Sequence, residues 1–582
     1  MKKRLLLFGL ILTASCALSS CDLLFPSGSD QYSYRPTDTS DHSTNPDTST
    51  STSTSSDSQP STSSSSGSST SSSKKSSSSS SEQSAPPAGS LTPKKASYNY
   101  KDYTNNNLSK ISSTPCVGTA KLLVVPIWFT DSDNFISKSS RDNIRSDIET
   151  TYFGSNQDTG WRSVKTYYEE ESHGALQLYG TVSNWYECKK SYTYYKTDGS
   201  VTRTRALVKE AADWFFEKNA GESRKDYDRD GNGYLDGVML IYAAPDQQSL
   251  QGSSYESGDN LWAYCFWVQN TDYKNVSSPG PNVFFWASYD FMYSKGTKAL
   301  QRTGYASQFG HGDTLHSNLD AHTYIHEMGH VFGLDDYYDY SDNNYRPAGS
   351  FSMQDHNVGG HDPYSSFALG WGKAYIPTET TNIDLKPFTE SGEMILLSPS
   401  FNSDNSPFDE YLLLEYYTTT GLNEMDTKYK YSNGPTGSKD PGIRLWHVDA
   451  RLIYPTGYNG SGGYTYSFAT NPSVAGHIVT HAMTNTYDDG KADHQDYLSY
   501  LGSGYYNYNL LQLIRNDSYA TYCPKDELST NSLFKTGSTF TMDKCKTQFV
   551  NTGKLNSNKT LGFSFTVNAL NENRASITVT KL

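Results

Sequence analysis

Thr323-Tyr-Ile-His-Glu-Met-Gly-His-Val-Phe-Gly-Leu-Asp-Asp-Tyr-Tyr-Asp339 is the stretch from which the rest of this 582-residue chain is read. His326 and His330 are four apart, so on a helix both imidazoles share one face and can reach one metal ion. Glu327, beside the first of them, is placed to take a proton from a metal-activated water. Ile325, Met328 and Phe332 follow an i, i+3, i+7 pattern and can pack the helix on a core. Gly333 can end the helix in a left-handed turn that sends the chain back toward the metal. Asp336 then falls where a third, oxygen ligand belongs, with Asp335 and Asp339 competing for the role; three protein ligands leave the fourth position for water. A chance match to H-E-x-x-H-x-x-G-x-x-D in a chain this long is on the order of one in a thousand or rarer. The spacing therefore predicts a zinc site rather than a helix with two ordinary histidines.

Charged residues make up 19% of the chain, the formal net charge is −14, and there are 46 tyrosines. With no basic patch, nucleic acid is excluded as the expected partner. Lys2, Lys3 and Arg4 followed by Leu5 to Leu12 read as the start of an export signal. Leu18-Ser19-Ser20-Cys21 resembles a bacterial lipobox, which makes residues 1–20 a lipoprotein signal peptide and Cys21 the lipidated residue. Two acyl chains suffice for stable attachment. Since no later apolar run reaches about 18 residues, the lipid is the expected anchor to the outer face of a bacterial membrane. Residues 21–95 are Ser/Thr-rich and read as a disordered tether, spanning on the order of 45 Å. Of the five later cysteines, Cys523 and Cys545 are close enough in sequence to pair, and Cys116 reads as structural rather than as a zinc-blocking thiol.

Leu122-Leu-Val-Val-Pro-Ile-Trp-Phe129 reads as a buried central strand. Helices are expected over Ser139–Tyr152, Val164–Glu171 and Thr202–Asn219. Ala175–Val182 alternates as a half-exposed strand, of the kind that pairs with extended substrate beside a peptidase cleft. Asp226, Asp228, Asp230, Asn232 and Asp236 alternate around Gly231, an arrangement that can wrap a structural Ca²⁺, although Gly237 stands where an EF-hand has its last acid. Met353 can lie beneath the metal in a tight turn.

These motifs, in this order, resemble the immune inhibitor A-like family of secreted metallopeptidases (peptidase family M6). The matching pieces are Leu-Val-Val-Pro with Phe129 and Asp131, Val164-Lys-Thr-Tyr-Tyr with Glu171-Ser-His-Gly174, and Asp228-Arg-Asp-Gly-Asn-Gly-Tyr-Leu-Asp236. They continue with His326 to Asp339, the Met353 turn, Leu369-Gly-Trp371, Glu410-Tyr-Leu-Leu-Leu-Glu415 and Gly442-Ile-Arg-Leu-Trp-His-Val-Asp449. The resemblance implies a metzincin-like zinc endopeptidase with His326, His330 and Asp336 as ligands and Glu327 as general base. Asp335 stands where the family usually has Pro, and Tyr337 where it often has Glu.

From about Thr380 onward only strand patterns remain. The fold class expected is thus an α+β zincin- or metzincin-like catalytic domain over 96–378, followed by a mostly β, sandwich-like domain over 379–582. His447 and Asp449 read as a buried hydrogen-bonded pair. Tyr364 and His356 are candidates for stabilising an oxyanion. The leading function is hydrolysis of extracellular proteins or peptides. The alternative is a catalytically silent surface adhesin that keeps zinc structurally, but a structural site has no use for Glu327 and normally takes four protein ligands.

Overall fold

The computed structural model describes residues 91–105, 114–159, 161–198, 201–246, 260–293, 319–339, 346–428, 435–458, 464–486, 508–517 and 532–582. The expected signal peptide, Cys21, the tether as far as residue 90, and Cys523 lie outside these residues. No helix among them is long and apolar enough to cross a membrane.

The apolar run at Leu122–Phe129 becomes a buried interior strand of a six-stranded sheet, one in from its edge. Strand β1 (Gly118–Trp128) is flanked on one side by β2 (Leu176–Val182) and β3 (Tyr186–Glu187). On its other side lie β4 (Val238–Tyr242), β6 (Val283–Ser288) and, at the edge, β5 (Tyr264–Trp267). All pairings are parallel except that of β5 with β6. Parallel strands have both faces covered, which is why β4 and β6 are buried at every residue.

Helix α1 (Tyr100–Asn105) precedes this sheet, and four longer helices cover it. They are α2 (Arg141–Phe153), α3 (Val164–Glu171), α4 (Thr202–Lys218) and α5 (His322–Val331), close to the expected spans. Helix α3 starts on a capping box between Ser163 and Thr166, which satisfies otherwise orphaned backbone donors. Helices α2 and α3 pack on β2, α4 on β1 and β4, and α5 on β5 and β6.

That placement corrects the expected substrate strand. β2 occupies the edge of the sheet away from α5, and β5 is the edge strand that packs against α5. Alternation in a sequence marks an edge strand without saying which edge it takes.

A second sheet, five strands in the order β15-β11-β10-β9-β7, follows the short helix α6 (Pro363–Ala368). Its members are β7 (Lys373–Tyr375), β9 (Glu393–Leu397), β10 (Glu410–Tyr417), β11 (Gly442–Asp449) and β15 (Leu511–Ile514). A four-stranded sheet is built from β8 (Thr381–Leu385), β16 (Thr539–Phe540), β17 (Phe563–Asn571) and β18 (Arg574–Lys581). A three-stranded one is built from β12 (Leu452–Tyr458), β13 (Tyr464–Ala469) and β14 (Thr480–His481).

β10 shows how the layers join. Successive residues point to opposite faces. Leu412, Leu414 and Tyr416 enter an outer core with Ile577, Val579 and Phe565 of the four-stranded sheet. Tyr411, Leu413 and Tyr417 enter the main core together with β1, β4 and α5. All eight residues of β10 are buried as a result. The second sheet is therefore one half of the expected sandwich and, on its other face, a wall of the first core.

Two boundary expectations change accordingly. One core runs from Tyr100 to Leu533, across the expected division at 378/379. Leu91–Lys95, read as the end of the tether, belong to the folded body: the Lys94 N–H donates to the Ala374 carbonyl of β7 at 2.9 Å, and the Ala374 N–H returns the bond at 2.8 Å. Main-chain pairing needs no apolar side chains, so composition did not reveal it.

Candidate metal centre

Helix α5 buries Ile325, Met328 and Val331, with Phe332 following, in the main core. It ends at Gly333, whose φ of +103° lies where only glycine is unstrained. A Cβ there would also stand 2.6 Å from Thr104 Cγ2 of α1. The bend carries the chain back over the helix face, as the sequence implied. Asp336 Oδ1 arrives 3.2 Å from His326 Nε2 and 3.2 Å from His330 Nε2. The two Nε2 atoms are 3.3 Å apart.

The other ring nitrogens fix the tautomers. His326 Nδ1 lies 2.7 Å from the Met353 carbonyl and His330 Nδ1 2.8 Å from the Leu334 carbonyl. A carbonyl can only accept, so both Nδ1 atoms carry protons and both Nε2 lone pairs turn inward, toward Asp336. This is the donor set of a divalent cation, two imidazole nitrogens and one carboxylate oxygen. The electrostatics agree. Burial works against a charged His330, yet Asp336 raises its pKa to about 9. Burial likewise opposes an ionised Asp336, yet His330 and His326 hold its carboxyl well below the usual range. A bound metal ion would take the place of that extra proton.

Glu327 lies on the same turn, only 7% exposed, and its Oε2 has no hydrogen-bond partner. Burial raises its pKa, against the pull of His330 and His326. The Cys265 N–H of β5 donates to the carboxylate and orients it. A buried, half-satisfied carboxylate beside a cation site is placed to accept a proton.

Of the competing acids, Asp336 alone joins the two histidines. Asp335 turns the other way, toward His481. Met353 is fully buried under the cluster and contributes its carbonyl. Tyr364 does not offer its hydroxyl to the centre, because that group is shared between Tyr100 Oη and His481 Nε2, each at 3.2 Å. His356 is buried against Asp355 and Arg346, its Nδ1 at 2.7 Å and 2.9 Å from them. Cys116 is buried with its thiol pushed up to about 12, chiefly by desolvation, so it supplies no thiolate. Cys545 is a buried free thiol. His447 pairs with Glu410 at 3.0 Å rather than with Asp449, which holds Arg451 and Asn556 instead. The two residues alternate two apart on β11 but belong to separate hydrogen-bonded groups.

In the acidic loop the carboxylates of Asp228, Asp230 and Asp236 gather within 4.8 Å of one another, and Asn232 Nδ2 donates to Asp230 at 3.0 Å. Asp226 belongs to the 3₁₀ turn Arg224–Tyr227 that precedes the loop, and Asn232 Oδ1 accepts the Tyr234 N–H at 2.8 Å. Burial raises the Asp236 carboxyl to about 7, while the N–H groups of Lys121 and Arg229 pull it down. Lys101 of α1 lies 3.0 Å from Asp230.

The Met353 and Leu334 carbonyls and the Cys265 amide were not legible beforehand. Main-chain groups carry no residue-type signal, and only the fold brings them to the side chains.

A helix with two inward imidazoles, an adjacent buried glutamate and an aspartate on the following bend is the arrangement of a metallopeptidase. In agreement, residues 109–355 match the family described as immune inhibitor A peptidase M6, catalytic domain. The chain is also similar to the pre-pro-metalloprotease PrtV of Vibrio cholerae serotype O1, in strain M66-2 and in strain ATCC 39315 / El Tor Inaba N16961. Each is 25% identical over 252 residues, covering 38% of this chain. The match spans 25% of the length of those relatives.

Proposed function

We propose that the protein is a zinc-dependent endopeptidase of metzincin-like build, acting on extracellular proteins or peptides. The observation that carries this reading is the meeting of two Nε2 lone pairs and Asp336 beside an unpartnered Glu327 oxygen. His326, His330 and Asp336 would hold the ion. Bound Zn²⁺ supplies Lewis-acid polarisation of the scissile carbonyl and lowers the pKa of water. Glu327 takes the proton from the attacking water and returns it to the leaving amine. β5, which borders α5, is the strand we place alongside an extended substrate, where main-chain pairing gives sequence-tolerant binding.

Among the described residues three side chains gather at the site, which favours this reading over a structural zinc in a silent adhesin that would normally take a fourth. Digestion of casein by the purified protein should stop with o-phenanthroline and return with Zn²⁺. Digestion unaffected by chelation would refute the metal's role.

Two further parts of the reading rest on sequence. Asp228, Asp230 and Asp236 form a structural Ca²⁺ loop joining α1 to the first sheet, so EGTA should lower the melting temperature more than the turnover of what stays folded. Cys21 carries the lipid that anchors the chain outside a bacterial membrane. Labelled palmitate should enter the unsubstituted chain and not Cys21→Ser.

A further inference from the structure

Asp336 sits in the middle of a bend whose neighbours do not face the metal cluster. Leu334 serves it through a carbonyl on His330 Nδ1. Between these two, Asp335 points its carboxylate at His481 Nδ1, 3.6 Å away. One residue beyond Asp336, the Tyr337 carbonyl accepts from Asn485 Nδ2 at 3.0 Å. His481 and Asn485 both belong to a short segment after β13, more than a hundred residues past the end of the family match at 355.

We propose that His481 and Asn485 are positioning residues for the metal centre, gripping the bend on either side of Asp336. The inference rests on the metallopeptidase reading and adds a role for the β-rich part of the chain.

Asn485 is fully buried and every polar atom of its amide is engaged. Its Nδ2 donates to Tyr337 O and to Leu511 O at 2.8 Å, while its Oδ1 accepts the Leu511 N–H at 3.0 Å. The bend is thereby tied to β15. The Tyr337 N–H donates to the Gln354 carbonyl at 2.8 Å, so the main chain of Tyr337 is held through both its N–H and its carbonyl.

His481 is held as firmly. It pairs with Leu452 across β14 and β12, and its ring packs on Tyr103 with centroids 4.5 Å apart, and on Tyr100 and Phe408. Tyr364 Oη lies 3.2 Å from Nε2 and Tyr100 Oη lies 3.2 Å from Tyr364 Oη. With Tyr364 donating to Nε2, the neutral ring carries its proton on Nδ1, on the side that faces the Asp335 carboxylate. Groups hydrogen-bonded to a metal ligand commonly change metal affinity about 10–100-fold when removed, and a grip one residue from the ligand is expected at the lower end of that range.

The test uses the full chain, with Zn²⁺ affinity measured by competition with a chromophoric chelator. His481→Phe keeps the ring packing and removes both nitrogens; Asp335→Ala removes the carboxylate; Asn485→Ala removes the second grip. His481→Phe and Asp335→Ala should each weaken Zn²⁺ binding about tenfold, with the double variant no weaker than either single one. Asn485→Ala should weaken binding by a similar factor. The metal-free melting temperature of His481→Phe should stay close to that of the unsubstituted chain, since a purely packing role survives that exchange. Undiminished Zn²⁺ affinity in His481→Phe, or additive losses in the double variant, would overturn the proposal while leaving the zinc site intact. If the unsubstituted chain and Asp336→Ala bind Zn²⁺ equally poorly, the underlying reading fails and the proposal goes with it.

Discussion

Glu327 is distinguished from the histidines on either side by what it lacks. Both histidines have each ring nitrogen committed, whereas Glu327 Oε2 is buried without a partner. Leaving a carboxylate oxygen in that state costs free energy, and a proton-accepting role accounts for it. Glu327→Gln keeps the shape and removes the basicity, so it should retain Zn²⁺ at the unsubstituted stoichiometry. Its kcat/KM should fall at least about 100-fold, the lower end for loss of a general base. Metal analysis with casein or peptide assays checks both halves, and a variant that still turns over would refute the assignment. This much of the site was readable, because H-E-x-x-H states ligand, base and ligand as side-chain types. The assignment of Asp336 over Asp335 and Asp339 was open at the level of the residues, since three carboxylates in five positions differ only in where the bend points them.

At the scale of elements, α5 is fitted to the turn that follows it. Gly329 lies where a Cβ would stand 2.1 Å from Gln354 Oε1, so the buried Gln354 amide occupies the space that any side chain there would need. Gly329→Ala should lower stability by about 1–3 kcal/mol through overpacking. Adding Gln354→Ala should return most of it, measured as urea midpoints at constant slope. No recovery in the double variant would mean the strain lies elsewhere. The helix pattern did not announce this crowding, because glycine inside H-E-x-x-H reads as a tolerated small residue. The acidic loop shows the converse. Its alternation was plain, but only the fold shows that Asp228, Asp230 and Asp236 converge while Asp226 lies in the preceding turn.

For the whole molecule, the second sheet joins the parts. Leu412 and Leu414 pack outward and Tyr411 and Leu413 inward, so neither core closes without β10. Thermal unfolding of the metal-loaded chain should therefore show one transition, and a fragment ending at 378 should not unfold cooperatively. Two separable transitions would contradict the shared wall.

Buried acids near that wall add a pH dependence. Asp426, 3.9 Å from Arg444 Nη2, has its carboxyl raised to about 7 by burial, against the lowering by Arg444. A raised acid binds more protons folded than unfolded, so its contribution to stability is lost as pH climbs from about 4 to about 7. The limit for one group is about 1.4 kcal/mol per pH unit. His361 and His322, held down by burial to about 3 and about 4, act in the opposite sense below their unfolded pKa. The difference between Asp426→Asn and the unsubstituted chain isolates the acid: the variant's stability should fall less between pH 5 and pH 8. An unchanged slope would place the Asp426 pKa in the ordinary range.

What the sequence determined by itself is what residue type and spacing can state. That includes the helix of His326, Glu327 and His330, the left-handed stop at Gly333, the buried strand at Leu122–Phe129, and the change to strands after Thr380. Tertiary structure alone decided which edge of the first sheet faces α5, which of three aspartates turns toward the histidines, and that two expected domains share a core. Each of those outcomes depends on the direction in which a face or main-chain group points after elements far apart in the chain have packed. Local spacing holds no record of that direction.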